Sequence, residues 1–88
     1  MLKLENLRKK IDKIDNDILI LLKKRFDIVK KVWILKKENN LPILQKERWE
    51  DLMKQKLEIA KELKLDIDLV KKIWDSIHKS ALERERDI

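Results

Sequence analysis

Four cationic side chains lie at positions from which they could bind an anion: Arg8, Arg25, Lys36 and Arg48. Arg25 interrupts a row of large aliphatic residues, and an unpaired guanidinium in such a row is strongly unfavourable. A carboxylate, from the protein or from a ligand, must therefore meet it. Because arginine binds carboxylates through two parallel hydrogen bonds, the four cations together fit a small molecule with two carboxylates. Taken singly, Arg8, Lys36 and Arg48 are also explained as solvated surface residues.

The helix that must position Arg25 is predicted to run from Leu4 to about Glu38, without any Gly or Pro to interrupt it. Roughly 34 residues make about 50 Å of helix, whereas a compact monomer of this length is only about 30 Å across. The aliphatic row therefore needs a second copy of the chain, and we expect an obligate homodimer. The row has heptad spacing over more than four heptads: Leu4, Leu7, Ile11, Ile14, Ile18, Leu21, Arg25, Ile28, Val32 and Leu35.

The spacing of the cations indicates which of them can act together. Lys36 follows Arg25 by about three helical turns, so it lies on nearly the same face roughly 16 Å away. Arg8 lies about 25 Å from Arg25 along the axis, too far to reach a small ligand held by Arg25 of the same chain. In an antiparallel pairing, Arg8 of the partner subunit could lie close to Arg25. Two identical pockets would then each be lined by cations from both chains.

Two shorter helices are predicted after the first. Pro42 forbids continuation of the first helix, and the asparagines before it tolerate a left-handed helix end. Helix 2 is expected from near Leu44 or Gln45 to about Leu63, and Asp66 is a good N-cap for helix 3. The apolar positions of helix 2 include Trp49, Leu52, Met53, Leu57, Ala60 and Leu63. Those of helix 3 are Val70, Ile73, Trp74, Ile77, Ala81 and Leu82, and Glu85 prolongs this face.

The composition limits the classes of protein that fit. The 88 residues predict one small domain over 1–88, and with 45% charged residues, no Gly and one Pro they favour an all-α fold of three helices, one very long. The absence of Cys excludes disulfides and thiolate metal sites. No signal peptide and no membrane span are visible, so a cytoplasmic protein is expected. The net charge of +6 is not accompanied by an RNA-reading motif, and no nucleic-acid or membrane partner is predicted.

Motifs for covalent or metal chemistry are missing from the sequence. No nucleophile–base arrangement, Gly-rich phosphate loop or metal-ligand spacing is present. His78 is the single histidine, and we interpret it as a surface or packing residue of helix 3. Trp33 and Trp74 are interpreted as core or dimer-interface residues. The sequence therefore predicts no metal and no cofactor.

The sequence contains the pattern LRxxIDxIDxxIxxLLxxR over residues 7–25, followed by Lys36, LPI, ER and LD before the last helix. With these features nearly the whole chain closely resembles the all-helical (AroQ-type) chorismate mutases, and the pattern over residues 7–25 is the most specific part of the resemblance. In that family three helices per chain intertwine into a homodimer, and each active site takes one arginine from the partner chain. The pattern here supplies Arg8, Ile11, Asp12, Ile14, Asp15, Ile18, Leu21, Leu22 and Arg25.

The resemblance implies the Claisen rearrangement of chorismate to prephenate, an isomerase reaction of Phe and Tyr biosynthesis in the shikimate pathway. Arg25 and Arg8 of the partner subunit would hold the substrate carboxylates. Lys36 would donate a hydrogen bond to the ether oxygen with help from Glu85, and Arg48 would complete the cationic pocket. The reaction is unimolecular, so it needs no nucleophile or metal; it needs a held conformer and stabilised charge.

The sequence departs from the common family pattern at three site positions. Trp49 stands where a glutamate usually binds the substrate hydroxyl, and Gln45 stands where aspartate is frequent. Ala81 stands where a small hydroxyl residue often touches a carboxylate. Glu85 stands at a position often occupied by glutamine, where some family members have an acid. By this correspondence Gln45, Trp49 and Ala81 are predicted to line the substrate site.

Two alternatives remain open at this stage. Isochorismate-pyruvate lyases share the fold and the cationic residues but lack the glutamate after the arginine, as this chain does at Trp49. A helical dimer that only binds a protein or nucleic acid is the alternative of another class. Arg25 argues against this non-enzymatic dimer, because an aliphatic row with a purely structural role gains nothing from an unpaired central cation.

Overall fold

The computed structural model of the chain describes residues 1–42 and 45–86. These residues form three helices, α1 (Leu2–Glu38), α2 (Lys46–Glu62) and α3 (Ile67–Glu85), and the described residues contain no strand. The predicted all-α class, with one very long helix and two shorter ones, is confirmed. Helix α1 begins two residues earlier than predicted, and α2 ends one residue earlier. The suggested start of α2 at Leu44 lies outside the described residues, and Gln45 is the residue that precedes the helix.

Residues 1–32 form one unit, which consists of most of α1. Its aliphatic row is exposed in the single chain, with relative accessibilities from 43% at Leu4 to 62% at Ile28. Two surface ion pairs at i,i+4 spacing support the helix, Lys13–Asp17 at 3.2 Å and Lys23–Asp27 at 2.8 Å. Such exposed pairs contribute only about 0.3–0.5 kcal/mol each to stability. The stability of this unit therefore depends mainly on burial of its exposed aliphatic row.

Residues 33–88 form the second unit, which holds the last turns of α1 together with α2 and α3. Helix α2 packs on α3 within this unit. Among the described residues, Trp33, Ala60 and Val70 are the buried hydrophobic residues and Glu85 is the buried charged one. Leu63 and Ile73, both predicted on the apolar faces, stay exposed in the single chain.

The helix ends are set by two left-handed residues and one side-chain cap. Asn40 (φ 55°) and Lys64 (φ 57°) terminate α1 and α2, and the next amide in each case donates to the carbonyl five residues back. A chain without Gly places other residues there, and Asn tolerates this backbone region better than Lys. Asp66 caps α3 as predicted: its carboxylate accepts hydrogen bonds from the amides of Asp68 (3.0 Å) and Leu69 (3.4 Å).

None of the helices in the described ranges is long and apolar enough to span a bilayer.

Candidate active site

Lys36 and Glu85, two of the three predicted catalytic residues, lie together in the second unit. Lys36 Nζ and Glu85 Oε1 are 3.4 Å apart, although 49 residues separate them in sequence. The side chains are 18% and 5% exposed, so both charges are largely withdrawn from water. A charge withdrawn in this way needs a partner, and each supplies it for the other. The structure thus brings an ammonium and a carboxyl group to one point near the end of α1.

The sequence of α3 explains why an acid becomes buried. Ile77, Ala81 and Glu85 follow one another at four-residue spacing, which places them on one face of the helix. Ile77 and Ala81 are half-buried and Glu85 is buried, so the acid continues the inward face as predicted. Lys36 lies in the last turn of α1, where a long side chain can cover this end of α3 with its aliphatic part.

A cavity of about 430 Å³ opens beside this pair. Its volume falls in the range of about 300–1,000 Å³ that is typical of small-molecule sites. The left-handed turn at the end of α1 brings Asn40 and Leu41 to its rim. Three cations and one carboxyl group line it, which favours an anionic ligand. The lining residues are Trp33, Lys36, Lys37, Asn40, Leu41, Glu85 and Arg86.

Lys37 and Arg86 were missed by the sequence reasoning. Each directly follows one of the predicted catalytic residues, Lys36 and Glu85 respectively. In a chain with 23 lysines and arginines, adjacency alone does not distinguish a pocket cation from a surface one.

Trp49, which is predicted to line the substrate site, contacts an aromatic residue of α3. Its half-buried ring stacks on His78, with ring centroids 3.8 Å apart and an interplanar angle of 12°. The contact joins α2 to α3, so His78 is the packing residue that the sequence suggested. An indole has one donor and no acceptor, so Trp49 cannot accept a hydrogen bond from a substrate hydroxyl as a glutamate would.

The other predicted binding residues of the second unit lie outside the cavity beside Lys36. Gln45 and Arg48 are exposed at the start of α2, and Gln45 makes no side-chain capping bond to that helix. Ala81 is half-buried on α3, one turn before Glu85. Their assignment to the substrate site therefore stays a prediction.

Arg25 and Arg8 belong to the first unit, residues 1–32. Arg25 is half-buried within the aliphatic row, and none of the carboxylates in the described ranges forms an ion pair with it. Arg8 is exposed. The partner that the sequence demands for Arg25 is thus not supplied by the described part of its own chain, and the roles of both arginines stay predictions.

Comparison with known protein families identifies the family of this chain. A family described as chorismate mutase type II matches residues 7–86. The chain belongs to this family. The resemblance identified in the sequence is confirmed, and with it the assignment to an enzyme family of isomerases.

Two curated relatives of the chorismate mutase type II chain agree with this result. A chorismate mutase of Methanocaldococcus jannaschii is 34% identical over 85 residues, which are 94% of this chain and 86% of that protein. A bifunctional chorismate mutase/prephenate dehydratase of Aquifex aeolicus is 40% identical over 63 residues, which are 72% of this chain. The chain spans only 17% of the bifunctional protein. No solved structure matches the chain.

Proposed function

We propose that this chain is a chorismate mutase that converts chorismate to prephenate in the biosynthesis of phenylalanine and tyrosine. The observation that carries the proposal is the family match over residues 7–86. The names of the two relatives support the same function and favour neither the lyase nor the non-enzymatic dimer. The proposal treats residues 1–88 as one mutase domain and includes the cytoplasmic location predicted from the sequence.

The reaction breaks one C–O bond and forms one C–C bond within a single molecule, and no proton is transferred. Catalysis therefore requires a held conformer and donors aimed at the ether oxygen, which gains negative charge in the transition state. Lys36 Nζ and Glu85 Oε1 are 3.4 Å apart, a separation that lets one substrate oxygen lie within hydrogen-bond distance of both. Lys36 donates as an ammonium. Glu85 donates when it is protonated and repels the developing charge when it is ionised.

The remaining site residues bind and orient the substrate in this proposal. Arg25 and Arg8 of the partner subunit each hold a carboxylate, and Arg48 adds a third cation. Bidentate binding by arginine fixes the orientation of a carboxylate as well as its position, which suits a reaction that depends on conformer selection. Gln45, Trp49 and Ala81 complete the lining. No metal and no cofactor takes part.

The homodimer belongs to the same proposal. The exposed aliphatic row of residues 1–32 supports it, because fully burying one such side chain is worth about 1.5–3 kcal/mol and the row is continuous. We expect a dimer at micromolar concentration and no stable folded monomer. Sedimentation velocity together with circular dichroism over a dilution series measures both quantities. A helical monomer that keeps its thermal stability on dilution would contradict the expectation.

The activity is tested by offering the protein chorismate and isochorismate separately. We expect loss of chorismate absorbance with formation of prephenate, and no release of pyruvate from either compound. Pyruvate released from isochorismate, without prephenate formation, would instead identify the lyase. No turnover of either compound by a folded dimer would leave the non-enzymatic helical dimer as the better interpretation.

A further inference from the structure

The charges around the cavity beside Lys36 do not all act on a ligand in the same way. Lys36 and Glu85 are 3.4 Å apart and largely buried, so each compensates the charge of the other. Of the two other cations that line the cavity, Lys37 and Arg86, Arg86 forms no ion pair with a carboxylate of the described residues, so its charge can attract an anion. Neither residue has a role in the site predicted from the sequence.

We propose that Arg86 is a further substrate-binding residue, which holds a carboxylate of the dianionic substrate at the mouth of this cavity. The inference rests on the proposed mutase function and adds a residue to it. Arg86 borders the cavity directly beyond Glu85, and its side chain is exposed. In the described ranges no carboxylate forms an ion pair with it.

The backbone of Arg86 is held by α3, which fixes the point from which its side chain extends. Arg86 is the C-cap of α3 with helical dihedral angles (φ −62°, ψ −25°), and its amide donates to the carbonyl oxygen of Leu82 at 3.3 Å. The Cα atom is therefore held by the helix that also buries Glu85, while the guanidinium reaches into solvent at the cavity. A fixed origin lowers the entropy lost when the guanidinium binds a carboxylate.

Arg86 is a better carboxylate ligand than its neighbour at the cavity, Lys37. The guanidinium presents a planar fork that matches the two oxygens of a carboxylate, whereas the lysine ammonium is a compact, strongly hydrated point charge. A second explanation for Arg86 is structural, because a cation near a helix C-terminus is stabilised by the helix dipole. The test must separate binding from this effect.

The expected kinetic signature follows from where Arg86 would act. It holds a carboxylate that keeps its charge throughout the reaction, so it binds substrate and transition state about equally. Removing it should raise KM and leave kcat unchanged. Loss of a charge-assisted hydrogen bond at an exposed position corresponds to a rise in KM of about tenfold.

The experiment compares Arg86→Ala, Arg86→Lys and Arg84→Ala in the full chain, with chorismate as the substrate. Arg84 is the matched control, since it carries the same charge on the other side of Glu85 in the last turn of α3 but does not border the cavity. We expect KM to rise about tenfold in Arg86→Ala, less in Arg86→Lys, and less than about twofold in Arg84→Ala. The salt dependence of KM should also weaken in Arg86→Ala alone.

The outcomes separate this inference from the function on which it rests. Equal KM values for wild type and Arg86→Ala, in a wild-type protein that converts chorismate, overturn the role of Arg86 and leave the mutase intact. A fall in kcat together with a lower Tm in both alanine variants identifies a helix-end effect and also overturns it. A folded wild-type protein that does not convert chorismate refutes the proposed function first. If Arg86→Ala does not fold, the KM and salt dependence of Arg86→Lys decide the question.

Discussion

Arg25→Ala is expected to lower kcat/KM for chorismate by about 10²-fold or more while the chain remains helical and dimeric. Removing one preorganised donor to developing or bound charge typically costs about 3–4 kcal/mol of transition-state stabilisation. Arg25 is half-buried in the aliphatic row of α1 and forms no ion pair with a carboxylate in the described ranges. The substitution therefore removes a charge without leaving a described partner unpaired, and stability should fall little or rise.

Lys24→Ala is the matched control for this variant. Lys24 is the exposed neighbour of Arg25 on the same helix, so the control removes the same charge from the same turn. Steady-state kinetics and thermal unfolding at one fixed protomer concentration measure both effects. If Arg25→Ala unfolds the dimer while Lys24→Ala does not, Arg25 is a structural residue and its place in the site is wrong.

The Arg25→Ala variant also tests whether Arg8 contributes to the active site of the partner subunit. Arg8→Ala should be nearly inactive as well, and mixing the two proteins with full subunit exchange should restore about a quarter of wild-type activity. Random exchange makes about half of the dimers mixed, and each mixed dimer has one site with both arginines and one with neither. Proven exchange without recovery would mean that each site uses a single chain.

The helices could be predicted because each depends on local chemistry. The three- and four-residue spacing of aliphatics predicts α1, and Pro42 and Asp66 mark an end and a start. These features depend on a few neighbouring residues, so a single sequence contains the whole signal. The left-handed residue at Asn40 was predicted for the same reason, whereas Lys64 was not, because lysine has no particular preference for that region.

The candidate site could be predicted only in part, because some of its contacts depend on how separate helices pack together. The resemblance to a family placed Lys36 and Glu85 in one site, and the apolar face of α3 that Glu85 prolongs predicted its burial; the structure brings the two side chains to within 3.4 Å. The cavity cations Lys37 and Arg86 depend on how the ends of α1 and α3 meet, which no local pattern reports. The stack of Trp49 on His78 likewise depends on the register of α2 against α3.

The stack has a consequence for substrate recognition. In the common family pattern an acid at this position binds the substrate hydroxyl, but here the ring is held flat against His78 between two helices. The packing energy of an aromatic pair, about 0.5–1.5 kcal/mol beyond its buried area, opposes any swing of Trp49 away from His78. We therefore expect recognition of the substrate in this chain to rely more heavily on its carboxylates, which is consistent with a cavity bordered by several cations.

Lys36→Ala should be the most damaging single change at the cavity, because it affects both catalysis and folding. It removes the ammonium proposed to stabilise the ether oxygen, so kcat should fall by about 10²–10³-fold. It also leaves the Glu85 carboxyl group, whose side chain is 5% exposed, without its cation. Stranding one member of a buried ion pair costs about 3 kcal/mol, so the free energy of unfolding should fall by a similar amount.

The variant that separates these two effects is Lys36→Ala combined with Glu85→Gln. An amide has nearly the shape of the carboxyl group but no charge to strand, so the double variant should regain most of the lost stability. It should not regain activity, since the ammonium is still absent. Glu85→Gln alone supplies a permanent donor, whereas a carboxyl group donates only when it is protonated, so we expect the kcat/KM of this variant to equal or exceed that of the wild type. Urea unfolding and steady-state kinetics of all four proteins complete the cycle. Equal stability of Lys36→Ala and the double variant would show that the 3.4 Å pair is not a coupled unit, and a large loss of kcat/KM in Glu85→Gln would contradict the role of residue 85 as a donor.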